Sequence, residues 1–139
     1  MKYSIGEVSK KFNLSASTLR YYDREGLFPN LERSESSIRS FSDIDLGSLE
    51  IIECLKNTGM SIKDIKVFID WCEQRDATLR ERYEMFIERK RIIDEQMASL
   101  QKTLEVIEYK CWYYKTALEA GTEKIHVKAN QQDTEEVTS

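Results

Sequence analysis

From Asp76 to Gly121 the chain runs without a proline or glycine, and apolar residues recur along it in sevens. Leu79, Phe86, Ile93, Leu100, Ile107 and Tyr114 hold one seam position, and Tyr83, Lys90, Met97, Leu104, Cys111 and Leu118 hold the other. Only Lys90 is polar among them. A heptad repeat of this length specifies a helix that supercoils with a partner. At a rise of ~1.5 Å per residue the helix would be about 65 Å long. In a chain of 139 residues no monomer can bury such a face. The partner is most simply a second copy of the chain, giving a homodimer.

The remaining sequence can form one small domain. A third of the residues are charged, with one proline and five glycines, a composition that favours helices over sheets. A net charge of -4 and a pI near 5.2 give no global basic footprint. Residues 1–41 hold seven Lys/Arg against five Asp/Glu, so any contact with nucleic acid must rest on a few placed side chains. No segment has the apolar length of a signal peptide or a membrane span, which points to a cytoplasmic protein with no membrane partner. Cys54, Cys72 and Cys111 are far apart and odd in number, hence expected as thiols. No cysteine pair has metal-ligand spacing and the one histidine is His126, so neither a metal nor a cofactor is expected. No nucleophile–base pair or phosphate loop argues for an enzyme.

Ahead of the long helix, "SIGEVSKKF" places Ser4 three residues before Glu7, a capping box, and sets Ile5, Val8 and Phe12 on one face. Asn13 suits a left-handed turn, Ser15 an N-cap for "ASTLRYYDRE", and Gly26 a stop. Two short helices across a tight turn make a helix-turn-helix pattern. Residues 27–41 lack helical periodicity and read as a hairpin or loop wing. Ser42 with Asp45 opens a helix lined by Ile44, Leu46, Leu49, Ile52 and Leu55, and Ser61 with Asp64 opens another that ends near Cys72. The domains expected are therefore 1–73, a winged helix-turn-helix, and 76–120, the coiled coil. Residues 121–139 are polar and aperiodic and read as a disordered tail.

Within "TLRYYDREGL", Arg20, Tyr21 and Tyr22 are consecutive and span about 200° of helical arc, so they cannot all be core. At least one tyrosine must face outward beside an arginine, as suits phosphate contact. The linked blocks "YSIGEV", "TLRYYDREGL" and "LKNTGMSI" resemble the MerR family of bacterial transcription regulators over residues 3 to about 70. The resemblance implies a mainly α fold: a winged helix-turn-helix DNA-binding domain followed by a long antiparallel coiled-coil dimerisation helix. It also implies an activator that sits, nucleoid-associated, on promoter DNA with an overlong spacer. There it bends and undertwists the spacer so that RNA polymerase can engage both promoter elements. By position, Thr18, Arg20, Tyr21 and Tyr22 match the family's contacts from the second helix. Arg39 matches the wing arginine, Lys56 a basic residue of the next helix, and Arg33 an additional wing contact. Where the family usually has Gly-Tyr before the wing arginine, this chain has Ser37-Ile38.

The following segment is similar to a short, AdhR/NmlR-like subgroup that senses aldehydes and other thiol-reactive electrophiles, a stress response, through one cysteine. Cys54 holds that position, and a buried structural thiol is the competing reading. Two alternatives stand beside it: a small apolar ligand bound noncovalently near the aromatic "YKCWYYK" cluster, and a coiled-coil adaptor whose head binds protein. The cluster itself, with Cys111 and Tyr114 in the seam and Trp112 beside it, is expected to dock on the partner's helix over 43–58 and couple the signal.

Overall fold

The computed structural model of the chain describes residues 1–127. In order it forms β1 (Lys2–Tyr3), α1 (Ile5–Phe12), α2 (Ala16–Arg24), β2 (Glu32–Arg33), β3 (Arg39–Ser42), α3 (Asp43–Asn57) and α4 (Ile62–Glu73). A 3-10 turn (Arg75–Thr78) and α5 (Leu79–Ala120) follow. The chain divides into two compact units, Met1–Ile92 and the part from Ile93 onward.

The local signals for helix ends act as their chemistry dictates. Ser4 Oγ accepts from the Glu7 amide at 3.1 Å while Glu7 Oε1 accepts from the Ser4 amide at 3.2 Å. Ser42 and Asp45 repeat the box at 3.2 and 2.8 Å. Ser15 and Ser61 cap α2 and α4 through the amides of Thr18 and Asp64. Asn13 adopts the left-handed conformation (φ 55°) that separates α1 from α2. Gly26 (φ 82°) ends α2, and a Cβ there would also lie 2.7 Å from the Lys66 side chain. Instead of starting at Asp76, α5 is led in by the 3-10 turn, whose first residue Arg75 has φ 57°.

The wing is a hairpin. β3 is the central strand of a three-stranded antiparallel sheet ordered β1-β3-β2, with Tyr3 opposite Phe41 and Arg33 opposite Arg39. The Ser34 amide donates to the Ile38 carbonyl and the Ser37 amide to the Ser34 carbonyl, each at 2.9 Å, closing the tip with Ser37 at φ 63°. Ser37 thus takes the backbone conformation for which glycine is best suited.

Val8, Leu19, Tyr22, Leu27, Phe41, Leu49, Ile52, Leu55 and Ile65 are fully buried and join α1 to α4 and the sheet in one core. Each large apolar side chain so buried contributes about 1.5–3 kcal/mol. Ile44, expected on the apolar face of α3, stands in solvent instead, because the core-facing stripe there is Leu46, Leu49, Ile52 and Leu55. The first turns of α5 belong to this unit: Phe86 meets Phe68 edge-on at 5.5 Å and Met85 packs on the core.

Candidate nucleic-acid interface

The three consecutive residues of α2 divide as helical geometry requires. Leu19 and Tyr22 face the core, while Arg20 is exposed and Tyr21 is 41% exposed. Thr18, half-buried, lies at the N-terminal end of the same helix, its hydroxyl 2.9 Å from Ser15 Oγ. Arg20 and Tyr21 therefore form the open face of α2, with Thr18 at its edge.

Tyr22, expected as a DNA contact, is only 1% exposed. Its hydroxyl donates to Glu53 Oε1 at 2.8 Å and accepts from Lys56 Nζ at 2.5 Å, and the Lys56 ammonium also stands 5.2 Å from the Tyr22 ring centroid. Burial, reinforced by the Glu53 carboxylate, holds the Tyr22 hydroxyl well above the ordinary tyrosine pKa. Tyr22 thus ties α2 to α3 and fixes Lys56, itself on the exposed side of α3. This link could not be read from the sequence, because Glu53 lies 31 positions from Tyr22.

Asp23 is a second residue that sequence reasoning missed. Its side chain is 4% exposed, and Oδ2 receives both wing arginines: Arg39 Nε at 2.7 Å and Arg33 Nη2. The wing arginines expected to meet DNA are therefore drawn to α2 by a carboxylate from α2 itself. This joins the open face of α2 and the wing into one surface.

A family model described as MerR HTH family regulatory protein matches residues 3–70, and one described as MerR, DNA binding matches residues 46–108. The chain belongs to the MerR family. It is a helix-turn-helix transcriptional regulator, not an enzyme. An uncharacterized HTH-type transcriptional regulator of Haemophilus influenzae is 42% identical over 124 residues, covering 89% of this chain and 92% of that one. AdhR of Bacillus subtilis is 37% identical over 92 residues, 66% of each chain. Among solved structures, HiNmlR, described as a MerR family regulator lacking the sensor domain and bound to promoter DNA, is similar with a TM-score of 0.81. It is 42% identical, and the match covers 90% of this chain and 99% of that one.

In this MerR chain Cys54 is exposed on α3, one turn after Ile51, itself partly exposed, and between the two residues that hold Tyr22. Within a single chain the Cys54 thiol is therefore open to solvent rather than packed in the core. Cys72 is the packed thiol: half-buried against the core, its pKa is raised by desolvation, and the nearby Arg82 guanidinium only partly counters the rise. Among the described residues no group of three His, Cys, Asp or Glu could hold a metal ion, and no helix is long and apolar enough to cross a membrane.

The aromatic cluster is covered in part by a residue assigned to the tail. Beyond Gly121 (φ 74°) the chain turns back, and His126, 7% exposed, stacks on Tyr113 at 4.2 Å and meets Trp112 at 5.0 Å between centroids. Its Nε2 lies 2.7 Å from Thr116 Oγ1 and 2.9 Å from the Tyr113 carbonyl. The expected disordered tail is thus folded as far as residue 127, and the rest of it lies outside the described residues. Hydropathy offered no sign of this, because a histidine among Lys, Glu and Thr reads as polar. Cys111, Trp112 and Tyr114 remain exposed, whereas Tyr113 is half-buried and Ala117 buried.

Proposed function

We propose that this regulator binds double-stranded promoter DNA as a homodimer and activates transcription by distorting an overlong spacer so that RNA polymerase can engage both promoter elements. The observation that carries the reading is the single surface of α2 and wing, with Arg20 and Tyr21 open on it and Thr18 at its edge. Lys56 extends it from α3, and the hairpin, tied to α2 through Asp23, stands beside it. HiNmlR, alike in sequence and fold, is bound to promoter DNA. A regulator with a net charge of -4 relies on such placed cations rather than on a basic field. Bending and undertwisting the spacer costs a few kcal/mol, which the contacts offset. The site of action is the nucleoid of the bacterial cytoplasm.

The signal enters at Cys54. Its exposed thiol adds to an aldehyde carbonyl carbon, the S–H proton passing to the carbonyl oxygen, and the adduct enlarges a side chain next to Glu53 and close to Lys56 on α3. The strain passes through the Tyr22 hydroxyl to α2. In the dimer Trp112, Tyr114 and Cys111 dock near the partner's α3 and couple the two heads. A noncovalent ligand cage among the aromatic rings is disfavoured because His126 already fills the face of Tyr113.

Transcription in vitro from the promoter of the protein's own gene tests the signal. Formaldehyde-treated wild-type protein raises transcript output, and Cys54→Ser does not respond. Full activation of Cys54→Ser by formaldehyde refutes the role of Cys54.

A further inference from the structure

Arg33 and Arg39 are register partners directly opposite each other on β2 and β3. Two like charges in that position repel and would splay the wing. The Asp23 carboxylate lies between them, nearly out of solvent, with one oxygen accepting from both guanidinium groups. An anionic oxygen shared by two guanidinium groups is the chemistry by which arginines hold a nucleic-acid phosphate. The other cation beside the hairpin, Lys2, is likewise paired, with Glu32 at 3.0 Å.

We propose that Asp23 is an internal phosphate mimic. It occupies Arg33 and Arg39 in place of the DNA backbone, so the wing arginines lock the hairpin to α2 instead of adding sequence-independent affinity. Of the seven cations in residues 1–41, two are thereby withheld from DNA backbone of arbitrary sequence. Asp23 is a positioning residue: it limits binding to non-promoter DNA and leaves recognition to the α2 face. This inference rests on the DNA-binding reading.

The test is the salt dependence of binding to a short random-sequence duplex, with the full chain in each case. Each phosphate newly neutralised steepens the plot of log affinity against log salt by about 0.9. Asp23→Asn, which keeps the size of the side chain, is expected to steepen the wild-type slope by about 1 to 2. Adding Arg33→Gln and Arg39→Gln to it returns the slope to that of the wild type. A purely structural role for Asp23 would weaken binding without steepening it, and an unchanged or shallower slope overturns the proposal. Should circular dichroism show Asp23→Asn unfolded, Arg33→Gln alone decides. Held by Asp23, that arginine can be removed with no change of slope, whereas a slope shallower by about 1 overturns the proposal. A wild-type protein that binds no DNA overturns this inference together with the DNA-binding reading, while binding with unmoved variant slopes overturns this inference alone.

Discussion

Tyr21 and Tyr22 have the same side chain and opposite fates, and the difference is one step of about 100° around α2. That one of them must face outward was legible in the string Arg20-Tyr21-Tyr22. Which one was not, since the choice depends on Leu19, Glu53 and Lys56 meeting Tyr22 in the fold. The buried hydroxyl has a measurable consequence. Its folded pKa lies above the ordinary value of 10.0, so the stability it supports is complete below that pH and falls as pH rises through and beyond it. Tyr22→Phe should cost about 1 kcal/mol at neutral pH through the lost hydrogen bonds. Above pH ~10 the gap to wild type should narrow, because the variant has no such group to ionise. Denaturant unfolding at neutral and alkaline pH measures both effects; a gap that widens with pH contradicts this arrangement.

Helix boundaries could be read because they are decided within four residues. Both capping boxes, the left-handed Asn13 and the glycine stops follow from backbone groups that nearby side chains must satisfy. Replacing Ser42 with Ala should therefore lower stability by about 1 kcal/mol. The pairing of β1 with β3 and the return of His126 onto α5 were not legible. Both join residues distant in sequence, through two strand residues or one ring that carry no periodic signal. The wing tip lies between these cases: a hairpin or loop wing was expected, while the fit of Ser37 depended on the turn it adopts. Because Ser37 holds φ 63°, Ser37→Gly should raise stability by roughly 0.5–1 kcal/mol in the same unfolding assay. A loss of stability would mean that the tip relaxes to another turn.

At the scale of the whole molecule, α5 presents apolar side chains that a lone chain leaves in water. Leu79, Tyr83, Met97, Leu100, Leu104, Ile107, Tyr114 and Leu118 are all exposed, and all belong to the heptad seam. Apolar exposure on that scale is what the proposed dimer would cover, and the repeat behind it is the feature most plainly written in the sequence. Leu100→Asp, which puts a charge in mid-seam, should shift the protein from dimer to monomer in sedimentation equilibrium; a variant that remains a dimer would place the interface elsewhere.

Recognition of DNA through the open face of α2 is tested most directly by mobility shift on the promoter fragment of the protein's own gene, over a range of salt. Wild-type protein should retard the fragment, less so as salt rises. Arg20→Ala should bind roughly tenfold more weakly, about 1.4 kcal/mol, with a salt slope shallower by about 1. Equal affinity and slope for the two proteins, or no retardation by the wild type, would contradict it.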